Sequence, residues 1–203
     1  MKKYAVLHEP GDIVTLAGTR FVVLDVERRG SLPDSLFLLA LESVGASEFG
    51  SSNNYAESDL KKAVDKWLED MGKRGLDNAK LIPREIDLTT LDGSGCYGKL
   101  SVKAAPLTLD EAREYADIIH NAERWCWMAT GWSGPSKSDG GNALCVYSNG
   151  AWNLSDCSYS VGVRPALKIP SDLLLDSADK PDLSEVPTDT LLEEIRRRVV
   201  DKA

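Results

Sequence analysis

DCSYSVGVRPALKIP, residues 156–170, is the stretch on which the fold turns. Asp156 to Ser160 are polar, and Val161 to Ile169 form a compact apolar run. Arg164 and Pro165 stand inside that run. A guanidinium taken out of water must be paired or must donate to backbone carbonyls, because an unpartnered buried charge is very costly. Proline lacks the N–H of a ladder residue, so Pro165 requires a bulge or a strand edge. The stretch predicts a core strand in which Arg164 is structural and neutralised internally. It also predicts a boundary: scaffold from Val161 onward, and a surface segment, Asp156 to Ser160, before it.

The chain has 203 residues, enough to bury a core without disulfide staples. Its formal charge of −8 argues against general nucleic-acid binding, which needs a basic face to replace phosphate counterions. No apolar run reaches the length that spans a bilayer. MKKYAVLHEP, residues 1–10, has no hydrophobic signal core, so the expectation is synthesis in the cytoplasm without membrane partners. Cys96, Cys126, Cys145 and Cys157 form no C-x-x-C pair, and His8 and His120 lie far from them, so no metal site and no cofactor is assigned. Reduced, mostly buried thiols are expected.

Residues 12–18, 20–29 and 35–43 read as strands of an antiparallel meander, broken at Gly18 and at Gly30–Pro33. In residues 51–72 the period changes: Leu60, Val64, Trp67, Leu68 and Met71 fall on one helical face, with Asn54 as N-cap and Glu57 completing a capping box. A second helix starts at a Thr108–Glu111 capping box, with Ala112, Tyr115, Ala116 and Ile119 as its stripe. Trp125 and Trp127 share one face of the next strand and are read as structural core residues, like Trp67. Residues 143–154 read as a hairpin with a type I′ turn at Asn149-Gly150. From Pro170 the chain turns acidic and proline-punctuated, then helical over about 190–200. The expected organisation is a domain over 1–169, followed by a linker and a terminal helix over 170–203 that docks on the body or mediates self-association.

The order of these segments resembles a bacterial and phage family of uncharacterised domains. Its members carry an NNY-x-x-S-x-L helix and a terminal GVRPAL strand, here residues 53–60 and 162–167. That family is similar to the C-type-lectin-like fold in its formylglycine-generating-enzyme variant. The resemblance covers about residues 10–169. It implies an α+β fold of antiparallel sheets braced by two helices, with long loops on one face. The family's WWLRSPG-like segment is replaced by WCWMATGW, residues 125–132, so a site built on that arginine is not carried over.

Oxidase chemistry of the formylglycine kind needs a close cysteine pair, for which Cys145 and Cys157 are the sole candidates; the chain is read as non-catalytic. Asp139, Asn142, Asn153 and Asp156 are calcium-ligand residue types, but any polar loop contains such residues. The stronger signal is the crowding of Trp132, Tyr147, Asn149, Trp152, Asn153, Ser155, Asp156, Ser158 and Tyr159. Aromatic, Ser and Asn side chains on loops compose adaptable binding surfaces. The expectation is a display module for a protein or glycan ligand, associated with a phage or prophage. Residues 147–167 also resemble the variable stretch of proteins altered by diversity-generating retroelements, and a structural role in a phage particle is the further alternative.

Overall fold

Long β-branched and leucine-rich runs near the N-terminus form the strands that everything else packs on. The computed structural model describes residues 2–5, 8–29, 32–137 and 140–177. The expected terminal helix near 190–200, most of the acidic linker and Asp139 lie outside the described residues. Strands β2 (Ile13–Leu16), β3 (Thr19–Arg29) and β4 (Leu32–Ala40) make the expected meander, with Val14 opposite Phe21 and Val22 opposite Leu39. The β2–β3 turn is tight: Ala17 and Gly18 have φ of 47° and 77°, the pair of positive values a type I′ hairpin requires. Phe21 and Val23 point to one core, Val22 and Leu24 to another, and all four are buried. A sheet covered on both faces explains why these strands lack polar alternation.

This sheet has seven strands. With β1 (Lys2–Tyr4), β8 (Ala104–Ala105), β13 (Ala166–Pro170) and β14 (Leu174–Ser177), its order is β1-β14-β2-β3-β4-β13-β8. The first and last described strands are therefore neighbours, and the domain does not end at residue 169 as expected: β14 pairs with both β1 and β2. A second sheet comprises β5 (Ala46–Ser47), β9 (Cys126–Gly131), β10 (Asn142–Val146), β11 (Trp152–Asp156) and β12 (Val161–Gly162), in the order β11-β10-β9-β12-β5. Strands β6 (Arg84–Asp87) and β7 (Lys99–Val102) form a separate hairpin.

Residues 161–170 are thus not one strand. They are β12 in one sheet and β13 in the other, joined by Val163, Arg164 and Pro165. Pro165 sits in this crossing, where no ladder N–H is needed, and its carbonyl accepts from the Ala40 amide at 2.9 Å. Arg164 donates from Nε to the Ala40 carbonyl at 2.8 Å and from Nη2 to the Leu41 carbonyl at 3.0 Å. It thereby satisfies the carbonyls at the end of β4, where that strand leaves the sheet. Val163 exchanges backbone hydrogen bonds with 44–45: Val44 N–H to Val163 O at 2.8 Å, and Val163 N–H to Gly45 O at 3.0 Å.

Helix α1 (Asp59–Lys73) buries Leu60, Val64, Leu68 and Met71, with Trp67 half-buried against Phe21. Burying each such aliphatic side chain stabilises by roughly 1.5–3 kcal/mol. The helix starts later than expected. Asn54 caps a short 3-10 turn, Tyr55–Glu57, and Ser58 caps α1 by accepting from the Lys61 amide at 2.9 Å. Helix α2 (Leu109–Glu114) has the expected Thr108–Glu111 capping box but is shorter than its apolar stripe suggested. Its start is clamped by Arg84, buried, which pairs with Glu111 and donates to the carbonyls of Ala105 at 2.9 Å and Pro106 at 3.2 Å.

Gly162 sits where the two sheets meet. A Cβ there would lie 2.5 Å from the Trp125 carbonyl oxygen and 2.9 Å from Ser43 Oγ. Gly162→Ala is expected to lower the unfolding free energy by about 1–3 kcal/mol, read as a shift in denaturant midpoint. Gly141→Ala, where nothing lies within 4 Å of the added methyl, serves as the comparison and should be near neutral. Equal midpoints for the two variants would contradict this packing.

Candidate functional site

The β10–β11 hairpin projects from the edge of the second sheet and carries most of the residues the sequence singled out. Its turn differs from the expected type I′. Tyr147 O accepts from the Gly150 amide at 2.9 Å, Tyr147 N–H donates to Ala151 O at 2.8 Å, and among residues 147–151 only Gly150, at 82°, has a positive φ. This is a three-residue loop closed by a glycine bulge. Asn149 is spent on the turn itself, its Oδ1 accepting from the Ala151 amide at 3.0 Å.

Alternation along β11 gives the hairpin two faces. On one face Asn153 donates from Nδ2 to the Tyr147 hydroxyl at 2.7 Å, and Tyr147 stacks on Trp125 with ring centroids 4.1 Å apart. On the other face Trp152 and Leu154 lie towards α2, with the Arg113 guanidinium 5.9 Å from the Trp152 ring. Five large apolar side chains are exposed among the described residues: Leu91, Trp125, Trp152, Leu154 and Tyr159. All but Leu91 belong to this hairpin or its neighbouring segments, so the exposure is concentrated rather than scattered. Asp156 accepts from the Ser158 amide at 2.9 Å and hydroxyl at 2.7 Å, and these bonds hold its carboxyl below the usual range.

Two expectations, for Trp125 and Ser155, are corrected by burial. Trp125 is not core; it precedes β9 and is 46% exposed, whereas Trp127 is buried, donates from Nε1 to the Ser47 carbonyl at 2.9 Å and meets Phe49 edge-on. Ser155 is buried at 6% exposure, facing inward between exposed neighbours. Trp132 is half-buried and packs against the core cluster that includes Leu109 and Ala112 of α2.

The polar loop after β9 is pinned. Buried Asn53 donates from Nδ2 to the carbonyls of Ser133 at 2.8 Å and Asn142 at 2.9 Å, and accepts from the Tyr97 hydroxyl at 2.6 Å. Asp92 forms an ion pair with Lys137 at 2.6 Å, and hydrogen bonds from Lys137 and Thr90 hold its carboxyl well below the usual range. The sequence marked residues 53–55 as a family motif without showing that Asn53 ties down a loop some eighty residues on.

Between β9, β10 and α2 lies a cavity of about 260 Å³. Leu107, Ala112, Ile119, Met128, Val146 and Trp152 line it, Ala116 borders it from the solvent side, and Arg164 and Cys126 form part of its wall. Neither Ala116 nor Ile119 was singled out as a site residue, because both read as the apolar stripe of a longer helix.

Cys126, Cys145 and Cys157 are buried and Cys96 is exposed; none is in a disulfide. In the β10–β11 register Cys145 faces Asn153, not Cys157. Burial pushes the thiols of Cys126 and Cys145 up to about 11 and that of Cys157 up to about 12. Among the described residues no cluster of three or more His, Cys, Asp or Glu side chains has metal-binding geometry. No family model matches the chain, no curated protein matches it, and no solved structure matches its fold.

Thiol titration with an aromatic disulfide at pH 8 should label Cys96 rapidly in the native protein and all four cysteines only after denaturation; rapid native labelling of more than one would contradict the burial. Because the fold holds three thiols protonated above their ordinary value of 9.0, their stabilising contribution is complete below about pH 9 and falls as pH rises through 11 to 12.

Proposed function

We propose that this chain is a non-catalytic binding module whose ligand, a protein or a glycan, is held by the exposed aromatic surface of the β10–β11 hairpin and its flanks. The observation that carries this reading is that four of the five exposed large apolar side chains among the described residues, Trp125, Trp152, Leu154 and Tyr159, lie on the two faces of this hairpin or on the segments beside it. Rigid aromatic side chains supply contact area at low entropic cost, and Asn153, Asp156 and Ser158 supply adaptable hydrogen bonding between them. The three buried thiols, Cys126, Cys145 and Cys157, support binding over redox chemistry: held protonated, they are poor nucleophiles near neutral pH.

The module is read as C-type-lectin-like and as part of a phage or prophage. The support is the motif order and the two helices bracing mostly antiparallel sheets. One observation favours the narrower reading, a protein diversified by a retroelement. Within 149–160 the positions that would vary, Asn149, Trp152, Asn153, Asp156, Ser158 and Tyr159, are exposed, whereas Ser155 and Cys157 are buried and the fixed segment from Val161 is core. Such a chain would have a nearby reverse-transcriptase gene and a near-copy of the codons for 140–160, and a locus without them would rule that version out.

The test of the broader reading is binding of the full chain to arrays of bacterial surface glycans and purified envelope proteins. Trp125→Ala and Tyr159→Ala are expected to weaken any specific hit tenfold or more, with unchanged melting temperature, while Leu91→Ala leaves it intact. Hits indifferent to both surface substitutions would overturn the assignment of this face.

A further inference from the structure

We propose that the cavity between β9, β10 and α2 is a binding site for a small apolar carboxylate, with Arg164 as the counter-charge for its head group. The argument rests on a contrast between two buried arginines. Arg84, 5% exposed, has its charge paired by the Glu111 carboxylate and donates to the carbonyls of Ala105 and Pro106, with its Nε left buried and unbonded. Arg164, 7% exposed, has only the neutral carbonyls of Ala40 and Leu41, reached through Nε and Nη2. Among the described residues Arg164 forms no ion pair, and its Nη1 makes no hydrogen bond. Carbonyls satisfy donors but leave the charge itself uncompensated in a low-dielectric setting.

No carboxylate among the described residues lies within ion-pair distance of Arg164. The Cys126 thiol beside Arg164 is held protonated by burial. Glu42 is the carboxylate that acts on Arg164 through space, but it is exposed and is engaged by the Glu123 amide at 2.9 Å. Desolvation accordingly pulls the guanidinium below its ordinary pKa. What Arg164 does border is the cavity.

The cavity's chemistry fixes the rest of the ligand. Asn121 and Arg164 are the strongly polar side chains of the lining, whereas Leu39, Leu107, Ala112, Ile119, Met128 and Val146 offer no polar side-chain atom, so the ligand's body is mainly apolar. An apolar cavity of about 150 Å³ takes benzene. The 260 Å³ here therefore fits one aromatic ring with a short acid arm, or a short aliphatic acid. A single free guanidinium nitrogen suits one carboxylate oxygen better than a phosphate, whose sites gather several charged donors. Exposed Trp152 and Ala116 flank the entrance, and Arg113, close to the Trp152 ring, adds positive charge outside it.

The cavity shares Trp152 with the hairpin surface, but its test is separate: it uses the full chain and a substitution away from Trp125, Trp152 and Tyr159. Calorimetric and two-dimensional NMR titrations would use phenylacetate and octanoate as probes, with phenylacetamide as the uncharged control. Saturable binding of a carboxylate at least tenfold tighter than the amide is expected, with shifts centred on 107–119, 126–128 and 146. Ala116→Trp, at an exposed position, should abolish it without lowering the melting temperature and without altering any ligand bound at Trp125 and Tyr159. Arg164→Lys, which keeps the charge, should bind more tightly than Arg164→Gln if both fold. Equal affinity for acid and amide, no saturable binding of either acid, or full binding by Ala116→Trp would each overturn the proposal.

Discussion

Arg164 donates to the carbonyl oxygens of Ala40 and Leu41 at the point where the chain passes from one sheet to the other. Everything around it follows from that need. The last residues of β4 have carbonyls that no neighbouring strand satisfies, and a buried guanidinium is one of the few side chains that reaches more than one. Pro165 beside it cannot donate, so it is confined to the crossing, where its carbonyl still accepts from Ala40. Gly162 lets β12 approach the Trp125 carbonyl closely enough to hydrogen-bond, at 2.9 Å. Three consecutive constraints, a glycine, an arginine and a proline, thus join the two sheets within a few residues.

The joint also positions the surface. β12 pairs with β9, β9 with β10, and β10 with β11, so the hairpin is the last member of a series that starts at the crossing. The central strand β9 is buried along its whole length, with Trp127 and Ala129 in one core and Met128 in the other. Such a strand is a firm base for an exposed edge. The polar loop that follows it is fastened by Asn53 and by the Asp92–Lys137 pair, so two sides of the candidate surface are held by buried or charge-assisted bonds.

Much of this was legible in the sequence, for physical reasons that differ between elements. The meander, the buried face of α1 and the Thr108–Glu111 capping box depend on local periodicity and side-chain chemistry, and they appear as read. That Arg164 must be paired or must donate to backbone carbonyls followed from charge burial alone; the structure takes the second course, with no ion pair among the described residues. What sequence did not show depends on distant partners. Residues 161–170 read as one strand because hydrophobicity cannot tell a change of sheet from continuity. Trp125 read as core by alternation with Trp127, but β9 begins only at Cys126, so the alternation does not extend to it. The turn at 147–150 read as type I′ from Asn-Gly, yet strand register made it one residue longer. The cavity beside Arg164 is formed by segments that are mostly far apart in the chain, and no motif marks it.

Native-state hydrogen exchange at the crossing is the most direct measurement of the claim that it unites the two sheets. The amides of Ala40, Val44, Gly162 and Val163 all donate across it or beside it. The account predicts that these amides exchange only through global opening, with free energies equal to that of denaturant unfolding and to those of the central β3 and β4 amides. Exchange of the four through a lower-energy local opening, with β3, β4 and β9 still protected, would show that each sheet stands without the crossing and would contradict the account.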